Sequence, residues 1–120
     1  MDSNQLKNRS KAFSITVLDL VEKLPNTISG RTIANQIVRS GTSVGANYRA
    51  VCRARSDREF IAKMNIVIEE ADETLFWLEI IREKQWIQNS ELDLIWREGN
   101  ELTAIFVSSM KTIKARITNS

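Results

Sequence analysis

The chain has 120 residues, of which 42% are hydrophobic and 27% are charged, and its formal net charge is +2. This size and composition are typical of one helical domain and leave no room for a second. The sequence contains no histidine, so the usual general base and the commonest transition-metal ligand are both missing. We therefore expect no catalytic residue, no metal and no cofactor, although catalysis by lysine or carboxylate side chains stays open.

The single cysteine and the N-terminal residues indicate the cellular location. Cys52 has no second cysteine with which to form a disulfide inside the chain, and we expect it to be a small buried side chain. The first residues are polar where a signal peptide needs an apolar core. No stretch reaches the run of about 18 apolar residues that is typical of a membrane span. These features predict a cytoplasmic protein that has no membrane partner.

Apolar residues recur at alternating steps of three and four, which is the pattern of helices that bury one face. Pro25 ends the first helix because proline lacks an amide hydrogen. Gly41 and Gly45 lie inside the second helix, where each costs about 1 kcal/mol relative to alanine. We expect a kink there, or the close approach of a neighbouring helix. The predicted helices cover about residues 4–24, 31–55, 57–85 and 91–117.

The connections between these helices predict how they pack. Ser56 and Glu59 have the spacing of a capping box, which places the start of the third helix immediately after Ser56. The connections are only a few residues long, so consecutive helices must fold back on one another. The sequence therefore predicts an all-α fold, an antiparallel up-down-up-down four-helix bundle that forms a single domain over residues 1–120.

A polar strip follows the glycines of the second helix. Ser43 and Asn47 are four residues apart and so share one helical face. We expect this face to form buried hydrogen bonds with the third helix, at Glu70 or Thr74. Ser43, Asn47 and Glu70 are thus predicted to form a buried polar motif.

The small net charge hides an uneven distribution. Residues 1–68 contain 11 Lys and Arg against 5 Asp and Glu, while residues 69–120 contain 6 against 10. Arginine has a planar donor fork that suits phosphate, so a basic cluster can mark a nucleic-acid surface. Alternatively, these side chains pair with carboxylates of the same chain or of another subunit. The predicted nucleic-acid-binding residues are Arg49, Arg53, Arg55, Arg58 and Lys63.

The aromatic residues and the acidic third helix raise two further questions. The helices carry more large aromatic side chains than one narrow apolar face can bury. These side chains are Trp77, Trp86, Trp96, Tyr48 and Phe76. They are covered by another subunit, or they close the ends of the bundle. The carboxylates of the third helix could hold Mg²⁺ or Mn²⁺, but they lack a distinctive ligand spacing.

Four segments together resemble a known bacterial family, the 23S ribosomal RNA intervening-sequence proteins, which are four-helix bundles. The segments run from Arg39 to Ala50, from Arg53 to Ser56, from Glu59 to Lys63 and from Glu69 to Glu79. That family's name describes where some of its genes lie and names no activity. The family also looks related to the accessory variability proteins of diversity-generating retroelements, which form pentameric barrels and work with a reverse transcriptase and nucleic acid. The resemblance implies a homopentamer with a basic surface.

Two functions are compatible with these features. The first is a non-enzymatic, cytoplasmic homo-oligomer whose basic surface binds RNA, another nucleic acid or a protein partner. The second is a purely structural interaction module in which the arginines form contacts between subunits.

Overall fold

The computed structural model describes residues 1–118 as four α-helices joined by short turns. The helix α1 packs against α2 and α4, α2 packs against α3, and α3 packs against α4. The predicted all-α up-down bundle is confirmed, and it forms a rod of 53 × 23 × 22 Å. Two residues of the predicted domain, 119 and 120, lie outside the described residues. The helices are α1 (Ser3–Val21), α2 (Ile28–Val51), α3 (Asp57–Lys84) and α4 (Asn89–Thr118).

Capping side chains set the starts of the first three helices. Asp2 and Gln5 form a reciprocal capping box at α1, and Thr27 accepts a hydrogen bond from the Gly30 amide at α2. At α3, Ser56 Oγ accepts from the Glu59 amide at 3.1 Å, as predicted. The Glu59 carboxylate instead lies 3.2 Å from Lys63 Nζ. Ser56 therefore caps α3, and Glu59 serves an ion pair along the helix.

Two helices end earlier than their apolar pattern predicts. The helix α1 ends at Val21, because the next amides bond to carbonyls three residues back, as Leu24 does to Val21 at 3.2 Å. The helix α2 ends at Val51 in the same manner, with the Ala54 amide 3.0 Å from the Val51 carbonyl. A tight final turn continues the apolar spacing without continuing the α-helix.

Glycine allows α1 and α2 to approach closely. A Cβ atom at Gly45 would lie 2.8 Å from Ser14 Oγ, and one at Gly41 would lie 2.7 Å from a methyl group of Val17. Ser14 Oγ uses this proximity, since it donates to the Gly41 carbonyl at 2.7 Å and accepts from the Gly45 amide at 3.2 Å. The two glycines of the second helix mark a close helix pair.

The core runs along the rod between the four helices. Its largest fully buried side chains include Phe106, Ile37, Met64 and Ile81. The Tyr48 ring stacks on Phe106 with centroids 5.4 Å apart, and burial raises the pKa of the Tyr48 hydroxyl. Among residues 1–118, no helix combines the length and the hydropathy that a membrane crossing needs.

The buried polar positions differ from those predicted. Ser43, Asn47 and Glu70 are only half-buried, and Ser43 Oγ donates to the Arg39 carbonyl of its own helix at 2.6 Å. The buried polar contact between α2 and α3 joins Ser40 and Thr74, both 0% exposed, with oxygens 2.9 Å apart. The prediction for the three residues was wrong because α2 turns its Ser40 side, one turn earlier, toward α3.

Candidate nucleic-acid interface

The antiparallel fold gathers positive charge at one end of the rod. At this end α1 and α3 begin while α2 and α4 finish. We call it the basic end and define it as residues 1–14, 45–68 and 105–118. It contains 11 Lys and Arg against 3 Asp and Glu, a net charge of +8, while the rest of the chain contains 6 against 12, a net charge of −6. The molecule is thus polarised along its long axis.

Contacts between helices bring the parts of the basic end together. Arg116 near the end of α4 donates to Asp57 at the start of α3, with Nη2 to Oδ1 at 2.7 Å. This partner lowers the pKa of Asp57. A groove of about 450 Å³ between α3 and α4 is lined by Arg58 and Lys114. Basic residues of α4 therefore lie beside the start of α3.

The predicted binding residues lie on the last turn of α2, in the following connection and on the first two turns of α3. Arg49, Arg53, Arg55 and Arg58 are exposed, and Lys63 is half-buried. Glu59 is the shared partner of two of them, since it lies 3.7 Å from Arg55 Nε and 3.2 Å from Lys63 Nζ. Lys63 and Arg55 lower the pKa of Glu59, which keeps the pairs charged.

Three of the predicted residues have no such partner. Among residues 1–118, no carboxylate lies within 4.0 Å of Arg49, Arg53 or Arg58 in a salt bridge. The ion pairs between helices are formed elsewhere, as between Arg9 and Glu98 at 2.6 Å. The hypothesis that the cluster pairs with carboxylates of the same chain therefore holds for Arg55 and Lys63 alone.

The predicted cluster omits six basic residues of this end, and three of the six line the grooves beside the cluster. Lys7 and Lys11 of α1 lie beside Arg49, and Lys114 of α4 lies beside Arg58. The predicted cluster consists of neighbours in the sequence, whereas Lys7, Lys11 and Lys114 lie on the first and last helices. In an antiparallel bundle, the start of one helix lies beside the end of the next. Assigning each charged residue to the end of the bundle at which it lies would have grouped these three with the cluster.

The outer face of α3 has the opposite character. Ile66 is 46% exposed and Phe76 is 52% exposed, and Glu69 and Glu73 lie on the same face at helical spacing. Burial and the neighbouring Glu73 raise the pKa of Glu70 on this helix. The face is therefore both apolar and acidic.

The tryptophans behave differently from Phe76. Trp77, Trp86 and Trp96 are half-buried and pack against the core. The indole of Trp77 donates to Glu73 at 3.3 Å, and that of Trp96 donates to Glu79 at 3.4 Å.

In the part of the chain that the structure describes, no group of three or more Asp, Glu or Cys side chains could hold one metal ion.

Comparison with known proteins places this geometry in a family. The family described as 23S rRNA-intervening sequence protein matches residues 2–108. The chain belongs to this family. A crystal structure from Bacteroides thetaiotaomicron, described as a protein with unknown function from the S23 ribosomal protein family, is 34% identical, with a TM-score of 0.84 over 92% of this chain and 99% of that chain. No curated protein matches the chain significantly. The resemblance found in the sequence is confirmed, and neither description states an activity.

Proposed function

We propose that this family member is a non-enzymatic, homo-oligomeric protein that binds the phosphate backbone of RNA through its basic end. The observation that carries the proposal is the set of three arginines, Arg49, Arg53 and Arg58, which form no salt bridge within residues 1–118 and lie on an end of net charge +8. Phosphate groups fit this surface because a polyanion releases counterions when basic side chains neutralise it. Arginine adds a second hydrogen bond to each contact.

The side chains around Arg49 determine whether RNA would be recognised by its charge or by its base sequence. Tyr48, the aromatic residue closest in sequence to Arg49, is buried and stacked on Phe106. Base stacking and base-edge contacts carry most sequence specificity in RNA recognition. A surface dominated by flexible cations binds by charge, so we expect affinity that depends on salt and tolerates changes of sequence.

The location and chemistry of the protein form part of the same proposal. The expectation that Cys52 is buried was wrong, because Cys52 lies just after the end of α2 and is exposed. A free and exposed thiol suits the reducing environment of the cytoplasm. The chain has no histidine to act as a general base. We propose no cofactor and no catalytic role.

A second candidate, a structural module, is favoured by the acidic and apolar face of α3. Exposed apolar side chains on helical bundles are often covered by another subunit, and Ile66 and Phe76 lie beside carboxylates. In this candidate, the arginines of one copy contact the α3 face of the next. The resemblance to the accessory variability proteins implies five copies, which is the number we propose for either candidate.

Filter binding of a structured RNA across a salt series tests the first candidate. The variant Arg53→Gln/Arg58→Gln removes two proposed phosphate contacts, so the slope of log affinity against log salt should fall by about 1.4 to 1.8. The matched control is Arg31→Gln/Arg97→Gln, which removes the same charge from exposed residues outside the basic end. Binding without a salt slope in the unaltered protein would refute the nucleic-acid function.

Charge reversal at one position separates the two candidates. Arg53→Glu should weaken RNA binding and leave the native mass unchanged if the basic end contacts RNA. If the variant instead dissociates the oligomer, the arginine belongs to a subunit interface and the structural module is the function. Native mass spectrometry and filter binding on the same preparation give both results.

A further inference from the structure

We infer that the groove between α1 and α2 is a second phosphate-binding site, in which Lys7, Lys11 and Arg49 hold the backbone of a nucleic-acid strand. This inference rests on the proposed function and extends it to a helix that the sequence cluster does not include. The groove has a volume of about 400 Å³. Its cationic side chains come from both helices, two from α1 and one from α2.

The charge of the groove is uncompensated. Its lining contains three cations and no carboxylate. Among residues 1–118, none of these three cations takes part in a salt bridge. Arg9, which lies between the two lysines in sequence, is by contrast held by Glu98 and Glu101 at 2.6 and 3.0 Å. On α1, Arg9 therefore points toward carboxylates of α4, while Lys7 and Lys11 line the groove.

Small side chains give a ligand access to these cations. Gly45 and Ala46, which have no long side chains, form part of the α2 wall. The floor is fixed because Ser14 Oγ bonds to both the Gly41 carbonyl and the Gly45 amide. The groove is therefore a fixed furrow on the surface of a closely packed helix pair.

The arrangement of the cations suits a linear polyanion. Lys7 and Lys11 are one helical turn apart on α1, and Arg49 faces them across the groove. Arg53 follows Arg49 by four residues, just beyond the end of α2, so the positive surface continues from the groove onto the predicted cluster. A strand lying in the groove would pass directly to the arginines of the proposed RNA surface.

The other end of the groove is aliphatic and acts differently. Ile15 and Leu18 line it and are 49% and 42% exposed. Aliphatic side chains cover sugars and base faces without reading base edges, because they neither donate nor accept hydrogen bonds. The site therefore selects for phosphate and against no particular base.

The test uses the full-length protein and a fluorescein-labelled single-stranded RNA of about 20 nucleotides, a length that spans several sites. Lys7→Gln/Lys11→Gln removes two contacts and should lower the salt slope by about 1.4. If affinities converge near 1 M salt, this slope difference weakens binding about 25-fold at 0.1 M salt. Lys7→Arg/Lys11→Arg keeps the charge and should retain the slope.

The outcomes separate a failure of the groove inference from a failure of the proposed function. The control Arg31→Gln/Arg97→Gln loses the same charge and should bind as the unaltered protein does. If Lys7→Gln/Lys11→Gln leaves the slope unchanged while Arg53→Gln/Arg58→Gln lowers it, the groove inference is wrong and the proposed function stands. If the unaltered protein shows no slope, both fail. If the lysine variant dissociates the oligomer, the groove is a protein interface, which also overturns the inference.

Discussion

Replacing Gly41 with alanine tests how closely α1 and α2 are packed. A Cβ atom at this position would lie 2.7 and 2.9 Å from the two methyl carbons of Val17 and 3.0 Å from its Cβ. Carbon atoms in contact are normally about 3.5 to 4.0 Å apart. Val17 is fully buried and, as a β-branched residue in a helix, has one preferred rotamer. The helices must therefore separate, which also stretches the bond from Ser14 to the Gly41 carbonyl.

Two opposing effects set the size of the change at Gly41. Alanine is a better helix former than glycine by about 1 kcal/mol. Inserting a methyl group into a packed core costs about 1 to 3 kcal/mol, and the upper end applies here because both methyl groups of Val17 are too close. We expect a net loss of about 2 kcal/mol in the free energy of unfolding. For a chain of this size that loss lowers the melting temperature by about 8 °C.

Urea unfolding followed by circular dichroism measures this loss, at one fixed protomer concentration because association changes apparent stability. The matched experiment is a double-mutant cycle with Val17→Ala, which removes both methyl groups and leaves only the Cβ contact. Gly41→Ala should then cost much less, giving a coupling energy of at least about 1 kcal/mol. If Gly41→Ala alone raises the urea midpoint, the helices are not in close contact at this position.

Three further substitutions test the N-terminal cap of α3, the core packing of Phe106 in α4 and the charge of Glu70 in α3. Ser56→Ala removes the cap of α3 and should cost about 1 kcal/mol by urea unfolding; no change would show that the cap is dispensable. Phe106→Ala removes a fully buried ring and its stack on Tyr48, so we expect a loss of about 3 to 5 kcal/mol by the same assay. Glu70→Gln should raise the melting temperature at neutral pH, because burial and Glu73 raise the pKa of Glu70 and its charged form destabilises the fold. That gain should vanish below about pH 4, where the carboxyl is protonated in both states; a gain independent of pH would contradict it.

The fold could be predicted from the sequence because helix periodicity and short connections leave few ways to pack four amphipathic segments. The close approach at Gly41 could be predicted for a similar reason, since glycine inside a helix is costly unless a neighbour needs the space. Helix ends were less accurate. Val51 ends α2 because the following amides form tight turns, and apolar spacing does not distinguish such a turn from continued α-helix.

The buried polar contact could not be predicted because it depends on the rotation of two helices about their axes. Ser43 and Ser40 are three residues apart and so lie about 60° apart around α2. The sequence shows which residues share a face, but the packing decides which polar residue at the edge of that face meets Thr74. Lys7 and Lys11 were missed for a different reason, since the predicted cluster joins neighbours in the sequence, whereas the reversal of alternate helices places the start of α1 beside the end of α2.

The axial charge separation links the two candidate functions, because in the proposed oligomer the orientation of neighbouring copies would decide whether the basic end stays exposed. Copies that pack in parallel bring several ends of net charge +8 together, and this repulsion is relieved when a polyanion binds them. Copies that pack in opposite directions place basic ends beside acidic regions and neutralise the surface that RNA would contact. Salt screens both effects, so raising its concentration should strengthen parallel assembly and weaken antiparallel assembly. Native mass measured across a salt series distinguishes the two, and an oligomer that dissociates as salt rises would contradict the RNA-binding arrangement.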